Sequence, residues 1–104
     1  MINVLLIEEH VLIRCGMCLM LEQIKGMPIV GESSTGEEGL TLRLEKEPDV
    51  VILDFQLPDT NSLELAQKIL RRDPDIKILV VTGIKNDLLP IRFLEAGVHR
   101  FITN

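Results

Sequence analysis

Short, continuous apolar runs separated by helical patterns constrain this chain more than any other feature. Val4-Leu5-Leu6-Ile7, Val50-Val51-Ile52-Leu53 and Ile78-Leu79-Val80-Val81 are apolar at every position. A strand with one face in water alternates apolar and polar residues. An unbroken run means that both faces are covered, as in a parallel sheet with helices on each side. Read in order, Asn3–Ile7 is a strand and Val11–Ile24 a helix closed by Gly26. Pro28–Gly31 is a shorter strand, and Gly36–Lys46 a helix ended by Glu47-Pro48. Val50–Asp54 is the third strand. Ser62–Arg72 carries Leu63, Leu65, Ala66, Ile69 and Leu70 at helical spacing and stops at Asp73-Pro74. Ile76–Val81 is the fourth strand. Asp87–Ala96 reads as a helix capped by Asn86 or Asp87, with Pro90 in its first turn and Gly97 as its stop. Arg100–Thr103 is a fifth strand.

The order βαβαβαβαβ with right-handed crossovers predicts a doubly wound α/β fold, a five-stranded parallel sheet in the flavodoxin-like order 2-1-3-4-5. Strands one and three are then neighbours, and ligands bind outside their carboxyl ends. The acids lie there. Glu8 and Glu9 end the first run and Asp54 ends the third. A carboxylate at the end of a buried strand is costly unless something there requires it. Three such groups repel one another unless a cation sits among them. Mg²⁺ takes carboxylate oxygens and shares its shell with phosphate, and a carboxylate can itself attack phosphorus to give an acyl phosphate. Asp54 is placed for that role, and the hydroxyl of Thr82 at the end of strand four for donating to a phosphoryl oxygen. The plainer reading of a strand-end acid, a cap for the following helix, fits Glu8 and Glu9 better than Asp54, which precedes a proline loop.

Bulk properties narrow the alternatives. The chain has 104 residues, 46% of them apolar, which suits one domain with a real core. Sixteen acidic against eleven basic side chains, a net charge of −5, oppose a sequence-independent grip on nucleic acid. No apolar run spans a membrane and no signal peptide is visible, and the two cysteines fit a reducing cytoplasm. Cys15-Gly16-Met17-Cys18 has the spacing of a redox pair but sits a turn inside the first helix, where packing is the simpler reading. His10 with these cysteines falls one ligand short of a zinc set. Residues 17–21 make that helix apolar almost all round, as in a deeply packed helix or an oligomer face. A flavin site would need a glycine- and hydroxyl-rich loop where Glu8-Glu9-His10 stands, and no Walker or dinucleotide motif occurs.

Taken together, Glu8-Glu9-His10 with Arg14-Cys15-Gly16, Ile29-Val30-Gly31-Glu32, Gly36-Glu37-Glu38, Pro48–Asp54, Leu57-Pro58, Val80-Val81-Thr82 and Ala96-Gly97 resemble the receiver domain of bacterial two-component response regulators. The resemblance covers residues 1–104 as one domain and looks nearest to the subfamily with a helix-turn-helix (LuxR-type) output. It implies a non-enzymatic, cytoplasmic phosphorelay switch that regulates transcription. A sensor histidine kinase would phosphorylate Asp54. Mg²⁺ would be held by Asp54, by Glu9, by Glu8 through water and by the backbone carbonyl of Gln56. Thr82 would be the switch hydroxyl and Phe101 the switch aromatic.

Three positions depart from the family pattern. Glu9 stands where aspartate is usual and carries its carboxylate about 1.5 Å further, which weakens octahedral Mg²⁺ binding. Asn104 stands for a lysine and brings no charge. Asn61 stands where a glycine is usual and is expected to take its positive φ. These departures keep open the alternative of a degenerate pseudo-receiver that binds partners without phosphorylation. The family's fifth helix does not follow strand five, which leads us to expect a homodimer over the bare face or a longer parent protein. DNA binding would belong to an output domain absent from this chain.

Overall fold

The computed structural model describes residues 1–82 and 100–103, the last strand and Thr82 by their backbone. The elements are β1 (Val4–Ile7), α1 (Val11–Glu22), β2 (Ile29–Ser33), α2 (Gly36–Lys46), β3 (Val50–Asp54), α3 (Ser62–Arg72), β4 (Lys77–Thr82) and β5 (Arg100–Thr103). They form one parallel sheet in the order β2-β1-β3-β4-β5. The fold class and strand order are those expected. The helix expected at Asp87–Ala96, with Pro90 and Gly97, and the amide at Asn104 lie outside the described residues.

The apolar runs are continuous because alternate side chains serve two cores. Leu5, Ile7, Val51, Leu53, Ile78 and Val80 join Leu65, Ala66 and Ile69 of α3 on one face. Val4, Leu6 and Ile52 turn to the other face and meet Met17, Cys18 and Leu21 of α1. Successive strand residues point to opposite sides, so every position in β1 and β3 has a layer to fill. Each large side chain buried this way contributes about 1.5–3 kcal/mol. α3 buries Ser62, Leu65, Ala66 and Ile69, the stripe that a 3.6-residue period presents to a sheet. α1 is different: none of its residues is buried, and Leu12, Leu19 and Met20 are exposed. The expectation of a deeply packed first helix is therefore not met within the described residues.

Turn chemistry sets the ends. α1 stops at Glu22, two residues before the expected Ile24, and Gly26 takes a positive φ of 82° in the turn to β2, a conformation that glycine adopts without strain. β2 runs on to Ser33. α2 ends at Lys46 with Glu47 as its C-cap, whose left-handed conformation (φ 46°) costs a non-glycine residue about 1–2 kcal/mol, and Pro48 follows at once. Asn61 corrects an expectation. Its φ is −80°, and its side chain accepts from Leu63 N and Glu64 N as the N-cap of α3. The loop has no left-handed residue to fill at that point, and a capping oxygen is what the helix start requires.

Candidate functional site

The β1–β3 register pairs Ile7 with Leu53, which carries Glu8 and Asp54 side by side off the same sheet edge. Both are buried, at 3% and 9% of their accessible surface. Asp54 pairs with Val81 of β4, and Thr82 is the next residue, its backbone opposite Thr103. Phe101 pairs with Val80. The topology thus brings the backbones of Asp54 and Thr82 to one edge, with Phe101 one strand further out.

The two oxygens of Asp54 differ. Oδ1 accepts the backbone N–H of Gln56 at 3.1 Å. Oδ2 is buried and has no hydrogen-bond donor. The Glu8 carboxyl lies within hydrogen-bonding reach, a contact that attracts only if the pair holds a proton. Burial first, and then this neighbour, push the Asp54 carboxyl up from 3.8 to about 7; the Gln56 N–H and the nearby His10 act in the opposite sense. The pair therefore favours a shared proton or a cation.

The third group is His10. Its Nδ1 lies 3.5 Å from Glu8 Oε2 and 3.9 Å from Asp54 Oδ2. Glu8, His10 and Asp54 present one ligand atom each within 4.8 Å of one another. Glu9 is exposed and stands outside this group. β1 ends at Ile7 and the chain bends at Glu9 before α1 begins, which leaves Glu8 and His10 beside Asp54 and Glu9 in solvent. The sequence pattern sets His10 beside the two cysteines as an incomplete zinc set and does not count it with the acids; its place two residues after Glu8 is the available signal.

Neighbouring residues fix the frame. Arg14 donates from Nη1 to the Glu8 carbonyl at 2.7 Å and pairs through Nε with Glu32 Oε1 at 3.5 Å, tying the end of β1 to β2. Ser62, buried at the start of α3, donates its hydroxyl to the carbonyls of Asp54 and Phe55. Asp59 reaches across to α2, its Oδ1 and Oδ2 accepting from Gly36 N and Glu37 N at 2.8 and 2.9 Å. Thr35 Oγ1 accepts from Glu38 N, and the Thr35 carbonyl from Gly39 N. The first four N–H groups of α2 are therefore all satisfied. The loop after Asp54 is held at both ends, which stabilises the position of the acid.

The donor set fits a hard cation, since two buried carboxylates converge and one oxygen lacks any donor. No described helix is long and apolar enough to cross a membrane.

Comparison with known proteins agrees with this geometry. Residues 4–104 match the response regulator receiver domain. The chain is 42% identical to response regulator GacA of Pseudomonas aeruginosa over 99% of its own length and 48% of that protein. It is 38% identical to response regulator UvrY of Escherichia coli over 99% of its length and 47% of that protein. It thus spans about half the length of these curated relatives. Its fold superposes on a LuxR-family two-component response regulator from Aurantimonas with a TM-score of 0.91 and 27% identity, over 97% of this chain and 72% of the other. On the family match and these relatives, the chain belongs to the response regulator receiver domain family.

Proposed function

We propose that this domain is a two-component phosphorylation switch with Asp54 as its phosphoacceptor. The carrying observation is Asp54 Oδ2, a buried carboxylate oxygen at the switch-point edge with no donor on it. Its lone pair is free to attack phosphorus. In the step we assign, Oδ2 forms the P–O bond as the P–N bond of a phosphohistidine breaks, and the electron pair returns to the imidazole nitrogen. The product is an acyl phosphate on Asp54. The donor is the histidine of a sensor kinase, a role that supports reading the domain as a signalling module and not as an enzyme.

A divalent cation such as Mg²⁺ would be held by Asp54 and Glu8, with the Gln56 carbonyl and Glu9 as the further ligands that the family pattern implies. When bound, it neutralises charge as phosphate approaches. Thr82 and Phe101 are the proposed reporters, the hydroxyl engaging the phosphoryl oxygen and the aromatic following it. Residues 1–104 act as one domain in this reading. Homodimerisation and DNA contact through an output domain outside this chain are the proposed downstream steps, in the cytoplasm.

The test is direct. Incubated with Mg²⁺ and acetyl phosphate, the protein gains the mass of one phosphoryl group, and Asp54→Asn abolishes the gain. An adduct that survives the substitution, or no adduct at all, overturns the assignment.

A further inference from the structure

We propose that the cleft between the C-terminal halves of α2 and α3 binds a small organic polyphosphate of the nucleoside triphosphate class. The cleft has a volume of about 410 Å³ and is lined by Leu40, Arg43 and Leu44 of α2 and by Lys68, Arg71 and Arg72 of α3. Helices that follow parallel strands run back toward the amino edge of the sheet, so this cleft lies at the opposite edge from Asp54. The inference does not depend on the phosphoacceptor reading.

Three observations converge. The first is charge. Four cations and no acid line the cleft, in a chain whose net charge is −5. None of the four makes an ion pair among the described residues. Glu47, Asp49 and Asp73 line the adjoining hollow, which shares Arg43 and Arg72, yet they pair with neither. The second is burial. Arg43 is 9% exposed, and its Nε is buried with no hydrogen-bond acceptor. A desolvated charged donor without an acceptor is costly, and phosphate oxygens are the acceptors that a guanidinium fork fits. Cations in the last turn of a helix ordinarily complement its dipole. That accounts for Arg71 and Arg72, but not for the burial of Arg43 or for Lys68, which precedes the last turn. The third is shape. Leu40, Arg43 and Leu44 fall at i, i+3 and i+4, as do Lys68, Arg71 and Arg72, so each triplet shares one helix face. The α2 wall sets two leucines beside the buried guanidinium, with Leu44 57% exposed, and the α3 wall offers three exposed cations. An apolar body against the leucines, with its phosphates toward the cations, satisfies both walls. Each triplet spans about 6 Å of helix, short of the ~10 Å between the i and i+7 anchors of a docked helix. The volume falls within the roughly 300–1,000 Å³ of small-ligand sites. The cleft therefore suits a compact polyanion better than an acidic helix of a protein partner.

The experiment uses the whole chain in EDTA, so that no divalent cation can bridge phosphate to the acids at Asp54. ATP, pyrophosphate and adenosine are titrated calorimetrically, and backbone amide shifts are followed on adding ATP. The expected result is one ATP per chain, bound more tightly than pyrophosphate and at least about tenfold more tightly than adenosine, with the shifts gathered in the C-terminal halves of α2 and α3. Arg43→Gln should weaken ATP by at least about tenfold, the lower end of what a charge-assisted hydrogen bond contributes. Arg43 is buried, so the exposed pair Arg71→Gln/Arg72→Gln serves as the second variant, with the same loss expected and urea unfolding to show that each variant is folded. Leu44→Ser should weaken ATP and leave pyrophosphate unchanged. Lys25→Gln removes an exposed cation outside the cleft and should leave ATP unchanged. No saturation at millimolar ATP, equal affinity for ATP and adenosine, or unaltered ATP affinity in the Arg71→Gln/Arg72→Gln variant overturns the proposal. So does an equal loss in Lys25→Gln, or a set of shifts gathered at the strand ends around Asp54. A glutamate-rich peptide bound more tightly than ATP would assign the cleft to a protein partner and overturn it as well.

Discussion

Asp59→Ala should destabilise the domain through a helix 23 residues away in sequence. Asp59 satisfies two of the N–H groups that open α2, at 2.8 and 2.9 Å. Removing an acidic cap of this kind costs ~1 kcal/mol, within a range of about 0.5–2. The favourable interaction of a carboxylate with the helix N-terminus adds about 0.3–1 kcal/mol at an exposed site. Thr35 still caps Glu38 N, so the helix frays at its first turn and does not unravel. The expected loss is about 1–2 kcal/mol, or roughly 4–15 °C in melting temperature for a domain of this size. Asp59→Asn, which retains one acceptor oxygen, should lose about half as much. Asp49→Ala is the control: Asp49 accepts one N–H, from Asn3 at 2.7 Å, away from any helix start. The pH dependence has a definite sign. The two α2 N–H groups hold the Asp59 carboxyl below its ordinary 3.8. Its contribution is complete above that value and is lost as pH falls through the lower folded-state value. The gap between wild type and Asp59→Ala should thus be flat from pH 5 to 8 (roughly) and shrink below about 4. Urea unfolding measures the gap, and amide exchange at Gly36 and Glu37 locates it. A change no larger than the ~0.5 kcal/mol of ordinary surface substitutions, or a gap that widens in acid, would refute the reasoning.

Two glycine substitutions should act in opposite directions. A Cβ on Gly39 would stand 2.5 and 2.9 Å from Ile7 Cδ1 and Cγ1 and 3.2 Å from Ser33 Oγ, with Ile7 fully buried. Overpacking costs about 1–3 kcal/mol and outweighs the ~1 kcal/mol helix-propensity gain of alanine, so Gly39→Ala should lower the urea midpoint. Gly16 in α1 has nothing within 4 Å of that position, and Gly16→Ala should stabilise by about 0.5–1 kcal/mol; equal signs for the two would falsify the packing account. The thiols should also separate. Burial, then a hydrogen bond to Glu32, push Cys18 up to about 11, whereas Cys15 is exposed. Maleimide at neutral pH should label Cys15 first, and comparable rates would contradict the raised Cys18 value.

The elements were legible where local and global signals agreed. β3, α2, α3 and β5 match their expected bounds to the residue, because apolar period, caps and proline stops coincide there. β2 begins one residue and ends two residues beyond the Pro28–Gly31 its pattern predicts. Ile29-Val30-Gly31-Glu32-Ser33 has only two strongly apolar positions, and its extent is set by pairing with β1, not by its own pattern. The pattern predicts a longer α1 because Leu21 and Ile24 keep helical spacing, although the chain leaves the helix at Glu22. Its apolar surface agrees with the sequence pattern; of the two readings of that surface, deep packing is not met among the described residues, since periodicity reports which residues are apolar and not what lies against them. Asn61 shows a different limit. Asparagine suits both a left-handed turn and an N-cap, and only the position of α3 decides between them.

The candidate site was legible in its acids and not in its partners, for a reason of range. Glu8 and Asp54 follow from strand order alone, because neighbouring parallel strands that end together must bring their next residues together. Asp59 acting on α2, Ser62 on the β3 carbonyls and Arg14 on Glu32 join elements through single side chains, and no periodicity marks such a reach. The choice between Glu9 and His10 lies between these cases. Adjacent acids suggest a joint role, yet the chain bends at Glu9, and it is Glu8 and His10 that lie beside Asp54. The bend at Glu9, just ahead of α1, is thus where the chain sets Glu8 and His10, rather than Glu8-Glu9, beside Asp54.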